Sequence, residues 1–454
     1  MTEKTYVARG EASLDLSTKE LDELFSTALS HALSDINKSG PVIILPPDIT
    51  RFHSRGGYFT DLAARELKNR LGAVLPALGT HMKMTATELE RMFPNTPNDK
   101  FRVHDWRNGV CELGRLEADF VEKVSEGVVR YDWPCQVNKM LLKEGSGSGN
   151  FSMLLSIGQV VPHEVAGMAN HAKNIFVGTG GKEAIDKSHF AGAAYGMEKM
   201  MGRLNTPVRA MFDEGLRRFS DQLPPILWVL TIVGPRSESE AIAANKARGS
   251  LAVRGLFIGF GRECLEKASD LARQVNMNLL DEPVKKAVVY LEPEEFRTTW
   301  IGNKAVYRTR MAMADGGELL ILAPGLERFG EDRAIDALIR KHGYRPSREI
   351  IARVNSVGKD AAELKENLSA AAHLIHGSSE GRFTIRYCPG PGVTRKEIES
   401  TGFEWGNLSE ARSRYDINEL KSGWNTLSDG EKIFYVPNPA LGLWAERNKF
   451  NSYE

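Results

Sequence analysis

Short apolar runs alternate with amphipathic stretches through the first 190 or so residues, and this alternation restricts the fold more than any other feature of the chain. PVIILPP (41–47), AVLPALG (73–79), SMLLSIGQVVP (152–162) and NIFVG (174–178) each read as a buried strand. Between them, residues 17–36, YFTDLAARELKNRLG (58–72) and TATELERMF (85–93) read as helices, the last capped at Thr85. Such a βα order predicts a mostly parallel sheet with helices on its faces. Ligands of such sheets sit beyond the carboxyl ends of the strands. The first run ends at Asp48-Ile49-Thr50-Arg51, the second at Thr80-His81, the third at His163 and the fourth at Thr179-Gly180-Gly181. Asp48, Thr50, Arg51, His81 and His163 are therefore expected along one sheet edge.

A second βα series starts at KKAVVYLEP (285–293) and continues through a helix around 303–314, GELLILAPG (317–325) and EDRAIDALIRKHG (331–343). A chain of 454 residues exceeds one ordinary core. The expected architecture is two α/β domains with mostly parallel sheets, the active site lying in the inter-domain cleft at the strand carboxyl ends. Residues 1–268 form the N-terminal domain, and the apolar tail 435–454 packs back on it. Residues 269–434 form the C-terminal domain. GSGSG (145–149) lacks the GK[ST] ending of a phosphate loop and reads as a loop or hinge. GLFIGFGREC (255–264) is explained by close packing or a hinge at least as well as by a cofactor.

With 59 basic and 59 acidic side chains the formal charge is zero, so nothing draws the chain to nucleic acid or an anionic membrane. No apolar run approaches the roughly 20 residues of a membrane span, and the N-terminus has no signal-peptide core. Cys111, Cys135, Cys264 and Cys388 form no CxxC pair, which argues against structural zinc and a disulfide framework. A cytoplasmic setting is the expectation.

The segment VVPHEVAGMANHAKNIFVGTGGKEAIDKSHF concentrates reactive nitrogen. Nine residues separate His163 from Lys173, and fifteen separate Lys173 from His189. Imidazole transfers protons near neutral pH and binds borderline metals. A lysine in apolar surroundings loses its proton more readily and becomes a nucleophile. From spacing alone, however, a solvated helix residue is the simpler reading of Lys173. Asp48 and Thr50 are equally good helix caps, and Arg51 suits a phosphate or carboxylate. His53 and His171 lie beside this set. His104, His342, His373 and His376 read as structural.

These residues resemble the lactate racemase family of nickel-pincer 2-hydroxyacid racemases and epimerases. The resemblance rests on DITR (48–51), ALGTH (77–81), HDW (104–106), PHEVAG…K (162–173), His189 and NTPVR (205–209). It implies a nickel-pincer nucleotide, a pyridinium-3-thioamide-5-thiocarboxylic acid mononucleotide carrying nickel. It implies Lys173 as the covalent anchor, His189 as the metal ligand, and Asp48, Thr50 and Arg51 at the cofactor. His81 and His163 would flank the substrate as acid/bases, with Arg51, Lys304 and Trp300 contacting it. The implied reaction moves hydride out and back through a planar 2-keto acid, and enzymes that make the cofactor are implied partners.

Two departures bear on substrate. Ala169-Asn170-His171 stands where the family has Ser-Gly-Gly, and Ile301 follows Trp300 where lactate enzymes have Gln after Tyr. The substrate is therefore expected to be a 2-hydroxy acid other than lactate. Arg297, Arg308 and Arg310 suit a second carboxylate but individually read as surface residues. The rival readings are a hydrolase or lyase with a metal on His81, His163 and His189, and a non-catalytic ligand-binding homologue.

Overall fold

A computed structural model of the chain describes residues 3–236 and 251–453. Two compact units divide it: residues 1–188 with 202–276, and residues 189–201 with 277–454. Among the described residues, no helix is long and apolar enough to cross a membrane.

In the first unit the strands are β1 (Lys4–Gly10), β2 (Val42–Leu45), β3 (Leu71–Val74), β4 (Met153–Gln159), β5 (Ile226–Pro235) and β6 (Leu251–Phe260). They form one sheet in the order β1-β6-β5-β4-β2-β3. The run β3-β2-β4-β5 is parallel, and β6 and β1 add antiparallel edges. Every side chain of β2 is buried, as expected of a parallel strand covered on both faces. Helix α1 (Thr18–Ile36) buries Leu21, Phe25, Ala28, Leu29, Ala32 and Ile36 on one stripe and begins with a Ser17–Glu20 capping box. Helix α2 (Gly56–Leu67) adds Phe59, Leu62 and Ala63 to the same core. Helix α3 (Ala86–Met92) starts at Thr85 with a second capping box.

Gly57 permits a close approach that α2 needs, because a Cβ there would collide with the backbone carbonyl of Met92. Backbone cannot yield as a flexible side chain does. Gly57→Ala should destabilise the protein by about 2–3 kcal/mol in urea denaturation. A change under about 0.5 kcal/mol would show that the C-terminal end of α3 simply moves aside.

The second unit has strands β7 (Val284–Tyr290), β8 (Met313–Ala323), β9 (Thr384–Pro389), β10 (Glu404–Trp405), β11 (Gly423–Thr426) and β12 (Lys432–Val436). Their order is β10-β9-β8-β7-β12-β11, parallel except for β11. Both units are thus α/β with mostly parallel sheets. Within the second unit, Leu443–Glu446 pairs in parallel with Met277–Leu280. Leu443, Ala445 and Phe450 join Met197, Met201, Tyr307 and Met311 in one apolar cluster.

Two expectations need correction. NIFVG is a single π-turn (Asn174–Gly178), not a strand. Five apolar residues suit either form, and the tight turn just before Asn174 leaves no room for extended backbone. Arg308 and Arg310 are buried rather than at the surface, and Arg310 Nε donates to Glu198 Oε1 at 2.8 Å. Arg297 is exposed.

Candidate active site

Loops at the carboxyl ends of β2, β3 and β4 carry five of the residues singled out from the sequence. Pro46 and Pro47 supply no N–H and so end β2. Asp48 then caps a short 3-10 helix (Ile49–Ser54), its Oδ1 accepting from the Thr50 N–H at 3.1 Å. The β3 loop follows alongside, with Leu75 and Ala77 donating to the Ile44 and Pro46 carbonyls at 2.8 Å. This pairing delivers His81 to Asp48, and Nδ1 lies 2.6 Å from Oδ2. The Thr50 hydroxyl takes the other carboxylate oxygen at 2.5 Å.

Asp48 is only 4% exposed. Burial alone raises a carboxyl pKa, but here the His81 charge and hydrogen bond, the Thr50 hydroxyl and Arg51 outweigh it. The group is held at about 2 and stays ionised. An ionised carboxylate only accepts, so His81 donates from Nδ1–H. Neutral His81 therefore keeps its lone pair on Nε2, and its half-exposed ring presents a base.

His163 has the opposite tautomer. It lies on a two-residue strand, Pro162–His163, paired with Gly167–Met168. The Val165 N–H donates to His163 Nδ1 at 3.1 Å, so the neutral ring carries its proton on Nε2. The ring is buried, with Glu164 Oε2 3.9 Å from the same Nδ1.

Lys173 immediately precedes the π-turn and is half-buried. Desolvation of its ammonium group, followed by the Arg51 charge, lowers its pKa to about 8. Glu164 and Asp48 oppose that shift, and Arg209 adds to it. Lys173, Arg51, Asp48, Glu164 and Arg209 thus share one electrostatic neighbourhood. About half of the Lys173 amine is neutral at pH 8, against well under 1% for an ordinary lysine.

The turn before Lys173 is strained. Asn170 and His171 have φ of 70° and 59°, left-handed backbone that glycine adopts without strain. Each such non-glycine residue costs on the order of 1 kcal/mol, less for Asn. Packing offsets this. Asn170 Oδ1 accepts from the His171 N–H at 2.6 Å, and Arg209 Nη2 donates to the Met168 and Asn170 carbonyls at 2.6 and 3.2 Å. The His171 ring stacks on Trp228, with centroids 4.0 Å apart, and Nε2 bonds the Gly261 carbonyl at 3.1 Å. Sequence reasoning quoted Glu164 within PHEVAG and Arg209 within NTPVR but gave neither a role, and it passed over Trp228, which no local motif announces.

Burial, then the Arg209 charge, pushes the His171 pKa down to about 3. In the unfolded chain His171 titrates near 6.5. Between these values the unfolded state binds more protons, so stability should fall as pH falls from 6.5 towards 3. Melting temperatures measured from pH 7 to pH 4 should decline, and His171→Asn should flatten the decline. An unchanged slope in that variant would exclude His171 as its source.

The other predicted residues are placed as follows. His53 lies in the Asp48-capped 3-10 helix. His104 is buried between Asn138 Nδ2 and the Gly180 carbonyl, both at 3.0 Å, which is a structural role. His189 is half-buried on helix α4 (Lys182–Tyr195). In the second unit Trp300 lies in a one-turn helix (Thr299–Gly302) capped by Thr298, its ring tilted against His373 with centroids 4.3 Å apart. Lys304 lies over the Phe296 ring, its Nζ 5.6 Å from the centroid.

Among the described residues, no cluster of three or more His, Cys, Asp or Glu side chains is arranged to hold a metal ion. A metal that brings most of its donors on an organic ligand requires only one from the protein. A partly neutral lysine amine is what an amide-type linkage requires. On that count Lys173 fits the group that the sequence resemblance implies.

Residues 16–201 match the family model described as lactate racemase N-terminal domain. Over this segment the chain is similar to the N-terminal domain of lactate racemases. The matched segment includes Asp48, Thr50, Arg51, His81, His163, Lys173 and His189, whereas Trp300 and Lys304 lie beyond it. The fold extends further. A crystal structure of a protein from Thermotoga maritima aligns over 96% of this chain and 99% of its own, with a TM-score of 0.74 and 22% identity. The lactate racemase apoprotein from Thermoanaerobacterium thermosaccharolyticum aligns over 97% and 94%, with a TM-score of 0.66 and 16% identity. No curated protein sequence matches the chain.

Proposed function

We propose that this protein is a racemase or epimerase inverting C2 of a 2-hydroxy acid. The observation that carries the reading is the shared neighbourhood of a desolvated lysine amine, Arg51 and the Asp48–His81 pair. Lys173 would anchor the nickel-pincer nucleotide, His189 would supply its protein metal ligand, and Thr50 and Arg51 would meet its phosphate. When bound, that group supplies the hydride acceptor and donor the reaction needs.

The chain's own residues handle the protons. His81 takes the substrate hydroxyl proton at Nε2, while Asp48 holds the ring and stabilises the imidazolium. Both Asp48 oxygens are occupied by protein donors, so we assign Asp48 to orienting His81 instead of touching the cofactor. His163 presents an N–H to the substrate oxygen, and must release the Val165 amide before it can pass a full proton. Arg51 would hold the substrate carboxylate. Ile301 stands where the lactate enzymes carry an amide-bearing side chain, so the substrate is assigned as a 2-hydroxy acid other than lactate.

A metal hydrolase is disfavoured because its three-histidine donor set is not assembled among the described residues. Co-expression with cofactor-making enzymes, followed by peptide mass mapping and chiral chromatography of D and L 2-hydroxy acids, tests the proposal. An adduct on Lys173 and inversion of one or more acids are expected. An unmodified Lys173 with no inversion across a broad panel would favour the ligand-binding homologue.

A further inference from the structure

The altered segment before Lys173 has a physical purpose beyond tolerating missing glycines. Left-handed backbone at two successive non-glycine residues persists only where the surroundings over-determine it, and such strain gathers at functional sites. Here the restraints come from four places. Arg209 on α5 (Pro207–Phe219) ties the Met168 and Asn170 carbonyls. Gly158 on β4 leaves room for the Asn170 amide, since a Cβ there would meet Asn170 Nδ2 at 2.5 Å. Trp228 on β5 stacks on the His171 ring, and the Gly261 carbonyl accepts from its Nε2. The His171 carbonyl then accepts from the Asn174 N–H at 2.7 Å, closing a turn with Lys173 inside it.

We propose that His171, wedged between Trp228 and the Gly261 carbonyl, is a positioning residue that fixes the 171–174 turn and so aims and desolvates the Lys173 amine. The side-chain wedge replaces the backbone freedom that glycines give the same turn. This inference rests on reading Lys173 as the reactive lysine of the site. The charged groups facing that amine are Arg51, Asp48, Glu164 and Arg209, and none of them is altered by changing His171 or Trp228.

The test is competitive acetylation of the cofactor-free protein across pH 6–11, with Lys173 followed by peptide mass spectrometry. In the wild type, Lys173 should titrate near 8. His171→Gly and Trp228→Leu should each raise that midpoint by about one pH unit or more, with several-fold slower labelling at pH 8. Trp228→Phe, which keeps an aromatic face for the stack, should restore the wild-type profile. Combining His171→Gly with Trp228→Leu should add little to either alone, because the two act through one contact. Should His171→Gly fail to fold, His171→Asn carries the same test, since Asn accepts the left-handed backbone but lacks the ring. Folded His171 and Trp228 variants with the wild-type Lys173 titration would overturn the proposal. Cofactor capture does not enter this readout. If the His171 dependence appears but no adduct ever forms on Lys173, the proposed function fails while the inference stands.

Discussion

Asp48→Asn should lower kcat by about 10²–10⁴-fold while leaving KM within a few-fold. The substitution is nearly isosteric, and its Oδ1 can still accept from the Thr50 N–H, so the loop should keep its shape. What changes is the partner of His81. Oδ2, now 2.6 Å from Nδ1, becomes an amide N–H that wants a lone pair opposite it. His81 then moves its proton to Nε2 and can no longer accept one from substrate. His81→Gln should cost a similar factor, and the double variant little more, because the two side chains act as one unit. Chiral chromatography of initial rates with loaded enzyme decides the matter. An Asp48→Asn enzyme within three-fold of wild type would mean that His81 does not act through Nε2.

Lys173→Ala should abolish the cofactor adduct and at least 10³-fold of the activity, and Lys173→Arg should not rescue either. A guanidinium remains charged at any usable pH and forms no amide-type bond. The pH dependence is the sharper measurement. Capture by a neutral amine should rise with pH, reach half its maximum near 8 and level off above about 9, where Lys173 has lost its proton. An ordinary lysine would keep gaining for about two more pH units, and at pH 8 would offer about a hundredth of the neutral amine. Loading assayed by intact mass from pH 6 to 9.5 separates the two. Continued gain beyond pH 9 would show that the Lys173 amine is hydrated in solution. Full activity in Lys173→Ala would remove the covalent anchor from the mechanism altogether.

The sheet edge was legible in the sequence because each apolar run overlaps a parallel strand, and Asp48, His81 and His163 lie in the loops beyond the strand ends at Leu45, Val74 and Gln159. Asp48 shows why two readings of one residue need not compete. It is the helix cap that its type suggests, and its second oxygen orients a histidine 33 residues away. NIFVG was misread since apolar content does not distinguish five residues of strand from one turn of helix. Arg310 was illegible for a different reason: its partner Glu198 lies 112 residues away and no local pattern announces it. The same holds for the His171–Trp228 stack, which joins two residues 57 positions apart.

The second unit draws residues 189–201 out of the middle of the first, and this bears on how the chain can be made and cut. During synthesis that stretch leaves the ribosome long before Arg310, Met311 and the residues near 443–450 that it packs with. It must wait uncovered, or in provisional contacts, until nearly the last residue is added. A cut after residue 276 strands it on the wrong fragment. The C-terminal piece would then hold a buried Arg310 guanidinium without Glu198 and an apolar cluster without Met197 and Met201. Fragments defined by a single break point are expected to aggregate, whereas adding residues 189–201 in trans, as a peptide, should restore solubility to the C-terminal piece.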